Sequence, residues 1–79
     1  MWIYVFYVND TKFKLMDALC VGESTYNRIK KELDSDKRYL FFNPGEITEF
    51  DKQGKPKTVT EGFCINMDNV CKVIFDDIN

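Results

Sequence analysis

Met1 to Val8 is an unbroken run of apolar and aromatic side chains at the head of the chain. Aromatic and β-branched residues suit a pleated surface, so the run predicts a β-strand. Successive strand side chains point to opposite faces. Trp2, Tyr4, Phe6 and Val8 therefore share one face, and Ile3, Val5 and Tyr7 share the other. Both faces are apolar. A two-layer domain covers one of them easily; the other must meet a helix, a second sheet, another subunit or a partner.

Asn9-Asp10 signals a turn, after which Thr11 to Met16 alternates, Phe13 and Leu15 against Lys12 and Lys14. This predicts a second strand in a hairpin with the first, its lysine face suiting a sheet edge. Asp17 to Gly22 reads as a connector, with Ala18, Leu19 and Val21 packing beneath it. A helix of about three turns should follow. Ser24 is its expected N-cap and Glu23 adds favourable charge near that end. Tyr26, Ile29 and Leu33 form the buried stripe, Arg28, Lys30, Lys31 and Glu32 the wet side, and Asp34-Ser35-Asp36 the stop.

Arg38 to Asn43 predicts a strand with Tyr39 to Phe42 apolar on both faces, closed by the turn Asn43-Pro44-Gly45. Ile47 to Phe50 is a short strand, and 51–56 a polar loop or hairpin tip. Thr58 to Met67 reads as one strand interrupted by a bulge near Gly62. Asp68-Asn69 turns the chain into a last strand, Val70 to Phe75. The expected architecture is α+β: one short helix packed on a bent, mainly antiparallel sheet of about five or six strands, with residues 1–79 as a single domain. One helix cannot hide three strands that are apolar on both sides. Curling into a partial barrel would close the surplus face internally, and a homodimer would close it externally.

Composition narrows the function. The 79 residues are 44% hydrophobic and 15% aromatic, enough for a core in a domain of marginal size. A net charge of −2 disfavours general nucleic-acid binding, which draws most of its affinity from phosphate contacts. No apolar run approaches the ~20 residues of a membrane span, and the first residues lack the charged start of a signal peptide. The expected location is the cytoplasm. Cys20, Cys64 and Cys71 are odd in number and form no C-x-x-C pair, and there is no histidine. Neither a disulfide framework nor an intrachain zinc site is expected, and the cysteines read as small buried hydrophobes.

Without histidine, neither a Ser-His-Asp nor a Cys-His arrangement can be assembled. The pairs Asp34/Asp36 and Asp76/Asp77 read as solvated helix-end and chain-end charges. Phosphate-cradling glycine loops are missing from the sequence. The chain reads as a non-enzyme with no metal and no cofactor. Basic residues gather at Arg28, Lys30, Lys31, Lys37 and Arg38 and at Lys52, Lys55 and Lys57; acidic ones at Glu46, Glu49, Asp51, Glu61, Asp68, Asp76 and Asp77. Both sets read first as solvated surface. The partner-binding candidates are Trp2 and Tyr4 with the acidic Glu46, Glu49 and Asp51, since an acidic surface can occupy a basic cleft. A rival ligand site would use Lys31, Arg38 and Tyr39.

The closing segment Gly62-Phe63-Cys64-Ile65-Asn66-Met67-Asp68-Asn69-Val70-Cys71-Lys72-Val73-Ile74 resembles the ending of many short phage and mobile-element proteins. Those proteins often begin with a hairpin and carry one short helix. The resemblance covers the layout of most of the chain and transfers no functional residues. It implies a phage or prophage origin, in a Gram-positive or similar host, and a place in the host cytoplasm. Small acidic proteins of that class resemble inhibitors of host machinery, including anti-CRISPR and other anti-defence factors. The implied function is stoichiometric occlusion of a host protein, for instance a nucleic-acid-binding effector. Two alternatives stand beside it: an oligomeric binder or sponge for a nucleotide second messenger, and a nucleic-acid-binding accessory protein.

Overall fold

Alternation along the first strand, β1 (Trp2–Tyr7), sorts its side chains as the sequence predicts. Ile3 and Val5 are fully buried, while Trp2, Tyr4 and Phe6 keep part of their surface in solvent. The computed structural model describes residues 1–8 and 16–77. After β1 come β2 (Met16–Val21), α1 (Glu23–Asp34), β3 (Tyr39–Phe42), β4 (Ile47–Phe50), β5 (Pro56–Thr58) and β6 (Phe63–Asn66). A single 3-10 turn, Met67–Asn69, then leads into β7 (Val70–Asp76).

The strands form two sheets. One has five strands in the order β5-β4-β2-β1-β7, and the other pairs β3 with β6. Every pairing is antiparallel. The fold is α+β, with one helix among the described residues and a mainly antiparallel sheet. Its core joins Ile3, Val5, Leu19, Val21 and Ile47 of the large sheet to Tyr26 and Ile29 of α1 and to Leu40, Phe42 and Ile65 of the small sheet. Helix and small sheet thus share the task of covering one face. Each fully buried side chain of this kind contributes about 1.5–3 kcal/mol.

Several expectations are corrected. The strand paired with β1 is Met16–Val21, the stretch read as a connector; the predicted alternating strand lies almost wholly in 9–15, outside the described residues. Nor is β2 at an edge, since it sits between β1 and β4. Its Leu19 and Val21 are buried opposite Ile3 and Ile47, so two apolar positions two apart were enough to seat a central strand. The helix begins earlier than Ser24. Gly22 is the N-cap, its carbonyl accepting the Tyr26 N–H at 3.0 Å, with no side chain capping the first turn. The Val21 N–H is tied to the Met1 carbonyl at 2.8 Å, which leaves a single residue between strand and helix.

The predicted strand from Thr58 to Met67 is two strands in different sheets, β5 and β6. Gly62 lies in the crossing rather than in a bulge. A Cβ there would stand 3.1 Å from both the Phe42 carbonyl oxygen and the Pro44 ring, so a side chain would crowd the passage. The register shift falls instead between β1 and β7, at Phe6/Tyr7. Asn43 to Glu46 is a tight turn, with the Glu46 N–H donating to the Asn43 carbonyl at 3.1 Å and Gly45 at φ +88°. Pro44 followed by a left-handed glycine is the sequence a type II turn requires. The cysteines also depart from expectation: Cys64 and Cys71 are exposed and Cys20 is half-buried. Cys64 shares the outward side of the small sheet with Phe41, and Cys71 falls where the β1–β7 register shifts.

Candidate interaction surface

Residues directly opposite in an antiparallel ladder project to the same side of the sheet. Trp2, Tyr4 and Phe6 of β1 stand opposite Cys20, Ala18 and Met16 of β2, and opposite Asp76, Ile74 and Lys72 of β7. Cys20 in turn faces Thr48 of β4, and Phe50, two residues on, extends the same side. This is the side away from the core. Trp2 lies 6.2 Å from Tyr4 in near-parallel stacking and 6.1 Å from Phe50, ring centre to ring centre. Phe50 is 49% exposed and Ile74 41%, while Trp2 and Tyr4 are half-buried, so the row is partly solvated although it is aromatic. A shallow groove of about 320 Å³ runs beside it, lined by Trp2, Ala18, Thr48, Glu49 and Phe50.

The small sheet shows a lesser version of the same pattern. Tyr39 and Phe41 project outward at 43% and 56% exposure while Leu40 and Phe42 are buried beneath them. A groove of about 340 Å³ passes between Phe41, Pro44 and Phe63.

The structure places the predicted site residues unequally. Trp2 and Tyr4 are neighbours on the outer face, and Glu49, opposite Lys57 in the β4–β5 ladder, is among the residues that line the groove beside Trp2. Glu46 is half-buried and its carboxylate is taken up by the chain itself. It accepts the Arg28 guanidinium at 2.6 Å, the Thr25 hydroxyl at 2.9 Å and the Asn43 amide at 2.6 Å. Burial alone would raise its pKa; the amide, the hydroxyl and the guanidinium together outweigh that and hold it below the ordinary value. Asp51 organises the β4–β5 tip, where its carboxylate accepts the Gln53 and Lys55 amides, both at 2.8 Å. Of the rival ligand set, Arg38 is ion-paired with Asp68 at 3.0 Å beside the exposed Tyr39. Lys31 instead lines a groove with Arg28, Glu32 and Ser35 that neither of those residues joins.

Sequence reasoning missed Phe50, Ile74 and Met16 as members of the outer face. Their alternation was visible; the pairing of β4 with β2 and of β7 with β1 was not. Chemically the face offers apolar area and little else. Lys72, with its Nζ 4.6 Å from the Phe6 ring centre, is the one cation among the described strand positions of that face. Among the described residues no group of three or more Cys, Asp or Glu is placed to hold a metal ion, and no helix is long and apolar enough to cross a membrane.

No known protein family, curated protein or solved structure matches this chain.

Proposed function

We propose that this protein is a non-catalytic binding module that covers a site on a partner protein with the outer face of its five-stranded sheet. The observation that carries the reading is the contiguous, partly solvated row Phe50–Trp2–Tyr4. Aromatic side chains on a sheet lose few rotamers on binding and supply large contact areas, which is why they dominate binding hot spots. A nucleic acid would need several cations along the same face, and the described strand positions supply Lys72 alone. Glu49 is the acidic component at the groove. The finer reading is that of a phage-encoded inhibitor, anti-CRISPR-like or otherwise anti-defence, that occludes a host protein stoichiometrically. It is supported by the resemblance of the 62–74 segment and by the small, acidic character of the chain.

The test uses wild type and a Trp2→Ser/Phe50→Ser variant as baits against a host lysate. Wild type should retain one protein at near-equimolar ratio. The variant should retain at least tenfold less, because each lost anchor at a hot spot costs about 2 kcal/mol or more. Both residues point away from the core, so the variant should keep its fold by circular dichroism. Equal retention by the two baits would reject the outer face as the binding surface. In parallel, Glu49→Lys should weaken capture of a basic partner, and unchanged capture would remove the acidic contribution.

A further inference from the structure

β7 is the outermost strand on its side of the large sheet, and among the described residues no strand lies beyond it. Its backbone polarity can be assigned from the neighbouring ladder. The Val21 N–H donates to the Met1 carbonyl at 2.8 Å across the β1–β2 side, and the Val8 N–H donates to the Asn69 carbonyl at 2.9 Å across the β1–β7 side. Main-chain groups alternate in direction along an antiparallel strand. Trp2, Tyr4 and Phe6 therefore bond toward β7, and their partners Asp76, Ile74 and Lys72 bond back toward β1. Val73 and Phe75 turn their N–H and C=O groups to the open edge. A seven-residue edge with such groups is a template for another strand.

We infer that the strand added there is β7 of a second copy of this chain, antiparallel, with the two-fold axis at Ile74. In that register Val73 faces Phe75 of the partner and Phe75 faces its Val73, and the two pairs exchange four main-chain hydrogen bonds. Ile74 meets its own copy at the centre. Lys72 and Asp76, which share the outer face, each meet the opposite charge on the other strand, one pair on either side of Ile74. These charged positions fall in the non-hydrogen-bonded rungs, where opposite side chains approach most closely.

The other registers that satisfy the backbone do less well. Centring on Val73 puts Lys72 against Ile74 and draws Cys71, at the register shift, into the ladder. Centring on Phe75 puts Asp76 against Ile74. An edge lysine and a nearby bulge are devices that discourage indiscriminate strand addition; here Asp76 at +4 on the same face turns the lysine into a selector for one antiparallel register. The axis is perpendicular to the sheet, so both outer faces lie on one side of a continuous ten-stranded sheet. The inference concerns self-association alone and does not depend on the partner reading above.

The test is sedimentation equilibrium over a concentration series. Wild type should show a reversible monomer–dimer equilibrium. Lys72→Asp and Asp76→Lys each set like charges opposite one another twice, and each should weaken the dimer at least tenfold. The double exchange K72D/D76K should restore it to within about threefold. Circular dichroism confirms that the variants fold. An independent readout replaces the three native cysteines with serine and adds Ile74→Cys. The paired Cα atoms of a non-hydrogen-bonded rung lie about 4.5 Å apart, within reach of a disulfide, so oxidation should give a covalent dimer, whereas Val73→Cys should not cross-link. A monomer at every concentration would overturn the inference, as would a dimer indifferent to the charge exchange or cross-linking at 73 rather than 74.

Discussion

Glu46 shows how a carboxylate that looks available in a sequence can be claimed by its own fold. Arg28 bridges it to Glu32 on α1, with contacts of 2.6 Å and 2.7 Å, and the buried Thr25 hydroxyl depends on it as an acceptor. Its folded pKa lies below the ordinary 4.5, so its contribution to stability is complete above that pH and is lost as pH falls through the folded value. Glu46→Gln should therefore cost about 1–3 kcal/mol at pH 7. Urea denaturation should show the gap between wild type and variant narrowing only below about pH 4.5, the ordinary value. A gap that stays constant into acid would mean that hydrogen-bond geometry, rather than charge, supports the site. Nothing local marks Glu46 apart from Glu49. The difference is that the Asn43–Glu46 turn carries it back to α1, and that is a tertiary fact.

At the scale of elements, β3 separates what composition leaves merged. Phe41 and Phe42 are neighbours of the same type, yet Phe41 is 56% exposed and Phe42 2%. Phe42→Ala should destabilise by about 3–5 kcal/mol, a large share of the stability of so small a domain. Phe41→Ala should change it by about 0.5 kcal/mol or less. Denaturant midpoints of the two variants decide the matter, and equal losses would mean that the outward side of β3 is packed in solution. The strand itself was legible because four consecutive aromatic and aliphatic residues precede a Pro-Gly turn. Strand β4 was legible for a related reason, being bounded by turn residues on both sides. β2 was not. Its six residues Met16–Val21 include Asp17 and Ala18, and strand propensity is weak there; Asp17 is accommodated because the Tyr7 hydroxyl donates to it at 2.7 Å. Burial and the facing carboxylate push the Tyr7 hydroxyl pKa well above its usual value, which keeps the proton in place.

For the whole molecule, the surplus apolar surface is only partly resolved within the chain. The small sheet and α1 close the inner face around Ile29, Leu40 and Phe42, and the outer face keeps part of its surface in solvent. Trp2 is the one tryptophan of the chain and lies between Tyr4 and Phe50 on that face. Its fluorescence should be quenched readily by acrylamide in the free protein. Covering by the captured partner should reduce the quenching severalfold and shift emission to the blue. Unchanged quenching in a verified complex would place the partner elsewhere, and the outward Tyr39 and Phe41 would then be the next surface to probe.

Local sequence was enough for the class of fold, the helix stripe of Tyr26 and Ile29, the strands expected at 38–43, 47–50 and 70–75 and found at 39–42, 47–50 and 70–76, and an apolar face too many. These follow from local periodicity and turn chemistry, which act over a few residues. Tertiary structure alone decided which strands became neighbours, and with them which face stayed open. The pairing of β4 with β2 brings Phe50 to Trp2, the pairing of β7 with β1 brings Ile74 and Lys72 to the same side, and the crossing at Gly62 sends β6 to a second sheet. Pairing depends on the summed burial of residues far apart in the chain, and no local pattern encodes that sum.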